Sequence, residues 1–302
     1  MVMEIIEIFA SDKVEISVPS VACIGFFDGV HKGHQKLIEI TKKEAKRKGM
    51  LSACITFHDD PWRILFPNRK ITNINPPQER LKKIEAYGIE QCYVLHFDKM
   101  MAELTKEAFV SLLVSLNIQM VVSGEDFKFA KKNEGDIFYL NKYIPTIVCD
   151  TIMIQQQKIA SSTIEKAILD GDMKFVNTCL GEDYKLEGVV VKGNQIGRHL
   201  GFPTANLKTN EDYVIPKTGV YSGRVNYKGN TYKAMINVGY NPTLNYQKRV
   251  SIEAYILDFS QDIYEQHITM YFHEYLRDEL KFNSKEELIE QLNKDVEMVR
   301  SK

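Results

Sequence analysis

Two short stretches concentrate the residue types that handle phosphate. GFFDGVHKGH, residues 25–34, follows the apolar run VACI and precedes a long amphipathic stretch. A loop that leaves a strand and enters a helix gathers free backbone N–H groups and the positive end of the helix dipole, and both favour an anion. Gly25, Gly29 and Gly33 let the backbone approach that anion closely. His31 and His34, three apart, fall on one side of the first helical turn. From there their imidazoles can donate to phosphate oxygens and to charge developing at an α-phosphorus under attack. The loop lacks the Gly-Lys-Ser/Thr ending that serves transfer of a γ-phosphoryl group, so nucleotidyl transfer with pyrophosphate leaving suits it better. The same spacing would suit zinc, but no third ligand lies near; as plain helix-start residues the pair would need no ligand at all. Strand, glycines and spacing together favour phosphate. The second stretch, GRHLGFPTAN at 197–206, also has the texture of a phosphate-holding loop.

The elements that must position these loops divide the chain in two. From residue 21 to about 150, apolar runs (VACIGF, LSACITF, QCYVLHF, MVVSG) alternate with helical patterns at about 33–48, 77–87 and 105–117. Such alternation predicts a parallel sheet with right-handed crossovers. Leu37, Ile38, Thr41 and Ala45 share one face of the first helix, whose basic last turn runs into Gly49, a stop signal. TIEKAILDGD, residues 163–172, and the residues after it read as a helical pair leading out of this region. After residue 184 the texture is β-rich, with YKGNTY reading as a hairpin turn. The chain closes on a helix that Ser284 caps and Glu287 completes as a capping box. These patterns predict an α/β domain over 1–183 and a small antiparallel barrel with a terminal helix over 184–302.

Composition narrows the partners. The 302 residues carry 39 basic and 40 acidic side chains, leaving no broad footprint for nucleic acid or a membrane surface. No apolar run approaches the roughly 20 residues of a membrane span, and the acids in MVMEIIEIFASDKVEI make it a poor signal peptide. Cys23, Cys54, Cys92, Cys149 and Cys179 sit singly in apolar runs, which favours buried thiols over disulfides. The expectation is a cytoplasmic protein, monomeric or weakly homo-oligomeric. Trp62 reads as packing or a surface anchor, and the run KKEAKRKG as a solvated helix face and end.

GFFDGVHKGHQKLI resembles the nucleotidyltransferase signature of the bacterial bifunctional riboflavin kinase/FMN adenylyltransferases, also called FAD synthetases, and GNQIGRHLGFPTANL resembles their flavokinase signature. VVSGEDFKFAKKNEGD, SST near 161, GVYSG, INVGYNPT, IEAYILDFSQDIY and YLRDELKFNSKEELIEQLNKD follow in family order over nearly the whole chain. The resemblance implies a Rossmann-like nucleotidyltransferase domain followed by a six-stranded riboflavin kinase barrel. The barrel would move the γ-phosphate of ATP to riboflavin, giving FMN; the first domain would move AMP from a second ATP to FMN, giving FAD and pyrophosphate. It implies ATP or phosphate contacts for Phe26, Asp28, Ser161, Ser162, Gly197, Arg198, Gly201 and Pro203, beside the loop residues above. Asp126, Phe127 and Phe202 would meet flavin. Thr204 and Asn206 supply short oxygen ligands suited to Mg²⁺, and Glu253 matches the general base on the riboflavin hydroxyl.

Three departures fall in the first domain. The family's Phe-x-Pro-His-Pro reads FHDDP here, with Asp59 and Asp60 in place of proline and histidine. His58, one step from Phe57, points to the opposite face of an extended chain. Ala130 stands where the family has glycine, although Lys131 and Lys132 keep positive charge. Glu165 replaces an arginine expected on the triphosphate; if the register slips by one, that basic place falls on Lys166 or is lost. One missing donor to developing phosphate charge costs on the order of 10²–10³-fold in rate. An alternative from another class makes the first domain a nucleotide- or flavin-binding regulatory module attached to an active kinase.

Overall fold

The computed structural model describes residues 2–68, 71–193, 196–209, 212–242 and 248–302. The chain forms two compact units, Met1–Ser161 and Ser162–Lys302.

In the first unit, strands β1 (Glu4–Ile8), β2 (Ser20–Ile24), β3 (Leu51–Phe57), β4 (Gln91–Leu95), β5 (Ile118–Gly124) and β6 (Thr146–Cys149) form one sheet in the order β1-β4-β3-β2-β5-β6. Every pairing in it is parallel. β2 and β4 are buried along their whole length, as continuous apolar strands are when helices cover both faces of a sheet. Successive residues supply opposite faces. Ile24, Ile55 and Tyr93 pack with Phe109 and Leu113 of α3 (Lys106–Ser115). Cys23, Cys54 and Cys92 pack with Leu37 and Ile38 of α1 (Lys32–Lys48) and Ile84 of α2 (Pro77–Ala86). The α1 face anticipated from spacing is the buried one, and Gly49 closes the helix with its N–H returned to the Ala45 and Lys46 carbonyls. All five cysteines are buried and none forms a disulfide. The two edge strands had no clear sequence signal: EIIEI carries acids suited to an unpaired edge, and TIVC is only four residues long.

The second unit takes in α4 (Ser161–Asp170) from its second residue on and α5 (Met173–Leu180), which precede a closed antiparallel barrel. Its strands are β7 (Tyr184–Val191), β8 (Thr204–Lys208), β9 (Gly219–Tyr227), β10 (Asn230–Pro242), β11 (Lys248–Ile256) and β12 (His267–Arg277). Around the barrel they run β7-β8-β11-β10-β9-β12, and β12 pairs again with β7. Asn177 of α5 ties the helical pair to the barrel, donating to the Phe272 carbonyl and accepting from the Tyr184 N–H. The β9–β10 hairpin turns through Lys228 and Gly229 at φ 50° and 83°, the primed two-residue turn expected of YKGNTY. In α6 (Lys285–Ser301), Ser284 accepts from the Glu287 N–H as anticipated. The Glu287 carboxylate reaches the Asn283 N–H instead of Ser284, one residue short of a true capping box. Asp295 of α6 is fully buried and takes Arg277 of β12 through Nε and Nη2, the latter at 2.6 Å, which fixes the terminal helix on the barrel.

Candidate active sites

The first site sits where β2 hands over to α1. The Gly25 N–H bonds the Ile55 carbonyl, and the chain then coils through Phe27, Gly29 and Val30 at φ 60°, 82° and 43° before α1 begins. His31 is the N-cap of α1: its Nδ1 accepts from the His34 N–H at 3.4 Å, which puts the ring proton on Nε2. The two imidazoles stack with centroids 3.7 Å apart, so the sequence spacing does bring them together. Gly33 makes this possible, because a Cβ there would lie 3.0 Å from His31 Cε1. Burial pushes His31 down to about 4 and His34 well below the ordinary histidine range, so both rings are neutral at pH 7. His34 Nδ1 is buried with no partner among the described residues.

Beneath the loop lies a charged floor in which Asp28 and Ser161 were expected from the sequence and Arg80, Asn73 and Asn75 were not. The Asp28 carboxylate accepts from the Ile74 and Asn75 N–H groups at 3.1 and 2.8 Å, and its backbone carbonyl accepts from Ser161 Oγ at 3.0 Å. Burial outweighs those bonds and pushes Asp28 up to about 6. Arg80 of α2 is fully buried. Its Nη2 donates to the Phe57 and His58 carbonyls, and its guanidinium lies 4.4 Å over the Phe26 ring. Arg80 Nε and Nη1, Asn73 Oδ1 and Asn75 Oδ1 have no partner among the described residues. Orphaned buried groups of this kind are uncommon unless a ligand completes them. The only signal for Arg80 in the sequence is a basic residue on the buried side of a helix. Asp60, substituted for the family's histidine, is buried and accepts from the Trp62 N–H, the start of a short turn at Trp62–Leu65.

The remaining residues expected at this site are placed as follows. Asp126 is exposed and pairs with Lys158 at 2.7 Å, which lowers its carboxyl below the usual range. Phe127 stacks on Phe129 with centroids 5.6 Å apart. Ala130 has φ 65° and ψ 178°, a conformation that belongs almost exclusively to glycine. Lys131 pairs with Glu103. Ser162 is exposed at the start of the second unit, and Lys166 pairs with Asp170 along α4.

The second site lies on the barrel. Asn206 of β8 pairs in register with Glu253 of β11, which pairs with Asn237 of β10. Side chains alternate along a strand, so Thr204, Asn206, Glu253 and Asn237 share a face opposite the buried Ala205, Ala254 and Ile236. Thr204 Oγ1 donates to Glu253 Oε2 at 3.1 Å. Asn237 lies within the INVGYNPT stretch but was not singled out there. The Gly197 loop is tight: a Cβ at Gly197 would sit 2.3 Å from the Phe202 carbonyl oxygen, and the Phe202 N–H returns to the Gly197 carbonyl at 2.8 Å. Gly201 takes φ 88° in the same loop, and Phe202 packs edge-on against Tyr255. The Arg198 side chain lies outside the described residues. Pro203, Thr204 and Asn206 line a 350 Å³ cavity with the 259–264 segment. The Thr204 and Asn206 side-chain oxygens are hard donors that fit Mg²⁺, and Glu253, outside that cavity's lining, is held beside them through Thr204. A larger cavity of 590 Å³, between residues 15–16 and 107–143, contains none of these groups.

A helix-start loop over unpartnered buried donors and a barrel face of oxygen ligands, on unrelated scaffolds within one chain, fit a two-reaction phosphate-transfer enzyme. Residues 13–167 match the FAD synthetase family and residues 180–302 the riboflavin kinase family. The chain is 39% identical over 290 residues to the bifunctional riboflavin kinase/FMN adenylyltransferase of Listeria monocytogenes, covering 94% of this chain and 92% of that protein. It is 37% identical to the Bacillus subtilis protein of the same description, covering 93% and 92%. A solved structure from Streptococcus pneumoniae, described as a macrolide-efflux protein, superposes with TM-score 0.92 at 33% identity over 99% of both chains. Among the described residues of this chain, no helix is long and apolar enough to cross a membrane. The chain belongs to the family of bifunctional riboflavin kinase/FMN adenylyltransferases.

Proposed function

We propose that the two sites act in series on flavin, each consuming one ATP. On the barrel, Glu253 takes the proton of the riboflavin 5′-hydroxyl as its oxygen attacks the γ-phosphorus, giving FMN and ADP. The 197–203 loop holds the ATP phosphates, with Arg198 as a donor, and Phe202 borders the flavin. Thr204 and Asn206 hold Mg²⁺, which when bound neutralises charge on the phosphate oxygens.

In the first unit, an FMN phosphate oxygen attacks the α-phosphorus of a second ATP, and pyrophosphate leaves. His31 Nε2–H and the His34 ring donate to the oxygens that gain charge, and Arg80 supplies the cation nearby. Asp126 and Phe127 border the FMN, and Ser161 flanks the phosphates. The observation that carries this reading is the buried imidazole stack at the head of α1 beside unpartnered Arg80 N–H groups. A nucleotide- or flavin-binding regulatory unit would use the same buried groups, so the preference for adenylyl transfer rests on the match of both halves to bifunctional relatives. The domains are taken as 1–183 and 184–302. The protein works in the cytoplasm as a monomer or weak homo-oligomer on small molecules, with no nucleic-acid or membrane partner.

Glu253→Gln tests the division of labour. FMN formation from riboflavin should fall by about 10²–10⁴-fold while FAD formation from supplied FMN is unchanged, both read by chromatography. Equal loss of both reactions, or of neither, contradicts it.

A further inference from the structure

Three adjacent strands of the parallel sheet end in a group of metal-ligating side chains that neither reaction uses. Glu7 lies on β1, His96 follows β4 and His58 follows β3. The ladder holds their backbones in place: the His96 N–H bonds the Ile8 carbonyl at 2.8 Å, and the His58 N–H bonds the Leu95 carbonyl at 2.9 Å. The rings form a column, with Phe9 stacked on His96 at 4.0 Å and His96 on His58 at 4.5 Å. His96 Nε2 lies 2.8 Å from Glu7 Oε2. One ligand atom from each of Glu7, His58 and His96 lies within 4.8 Å of the other two.

We propose that Glu7, His58 and His96 form a binding site for a divalent transition metal of the zinc class. Two imidazoles and one carboxylate form a borderline donor set that suits Zn²⁺, Co²⁺ or Ni²⁺ better than Mg²⁺. Bonds of about 2.0 Å to a tetrahedral zinc put ligand atoms about 3.3 Å apart. Rotations of the side chains close the remaining gap, and these are free to turn: Glu7 is 54% and His58 39% exposed. Asp59 Oδ2 sits 2.9 Å from His58 Nδ1, which orients that ring and leaves its Nε2 to the metal. A fourth position stays open to water. His58 is therefore no stand-in for the family's histidine at the nucleotide loop; its ring faces the sheet edge. Occupation of the site would still be felt by the adenylyl-transfer machinery, because the His58 carbonyl is one of the two that hold Arg80.

The experiment uses the untagged full-length protein, Zn²⁺ titrated by calorimetry and Co²⁺ by its visible absorption. The expected result is one site per chain of micromolar or tighter affinity, with a tetrahedral Co²⁺ spectrum. His58→Gln/His96→Gln should weaken binding by at least about tenfold and Glu7→Gln by less, each with an unchanged metal-free melting temperature, while His31→Asn binds like the unaltered protein. The double variant tests the rings and Glu7→Gln, on an exposed edge, guards against a folding defect. No binding by the unaltered protein, or equal binding by the double variant, overturns the proposal.

Discussion

His31 and His34 illustrate how the fold conditions its own chemistry. A charged pair of stacked imidazoles would repel a neighbouring Arg80, so burial keeps both neutral until a triphosphate brings negative charge. The consequence for stability has a sign. Lowering His31 from 6.5 to about 4 contributes about 3 kcal/mol, present above pH 6.5 and lost as pH falls towards 4, because the unfolded chain takes the proton first. Asp28 runs the other way: raised from 3.8 to about 6, it costs about 3 kcal/mol when ionised and relieves that cost on acidification. These two offset, so His34, depressed in the same sense as His31, decides the outcome. The melting temperature should fall between pH 7 and pH 5, and His34→Asn should flatten that slope; a slope unchanged in the variant would count against this balance. Arg80 is the other decisive residue. Arg80→Lys loses the forked contacts to the Phe57 and His58 carbonyls, and FAD formation from FMN should drop on the order of 10²-fold with the kinase rate intact. An equal kinase loss would mean the change acts through folding. The histidine pair was legible because its spacing is local. Arg80 was not, since nothing in PQERLKKIEA distinguishes a buried guanidinium under a phosphate loop from a solvated one.

At the scale of elements, the strand–helix alternation and the β-rich second half were readable from apolar period and turn residues. What escaped was decided by long-range pairing. β1 has charges at Glu4 and Glu7 and becomes a strand only because β4 offers it an edge, residue 4 opposite residue 91. Sequence also flagged Ala130 as a departure without showing its cost. In the 128–136 hairpin this residue adopts a glycine conformation, worth about 1–3 kcal/mol of strain. Ala130→Gly should therefore raise the unfolding free energy by about 1 kcal/mol, net of the entropy a glycine adds to the unfolded chain, as measured by urea denaturation. A destabilised variant would show that the position is unstrained. Asn237 shows the same limit within the barrel: it joins Glu253 only because strand register places them opposite.

At the scale of the whole molecule, two folds with separate cores each carry a site of different geometry, one a loop at the mouth of a parallel sheet, the other a polar face on a barrel. The order of reactions follows from chemistry, since adenylylation needs the phosphate that the kinase installs. The two ATP molecules must then leave different atoms in the product. The most direct measurement supplies riboflavin with ATP labelled at either the α- or the γ-phosphorus and follows both labels into separated FMN and FAD. Two working sites predict γ-label alone in FMN and both labels in FAD. FMN carrying γ-label with no α-label entering FAD at any protein concentration would contradict the claim that the first unit transfers AMP.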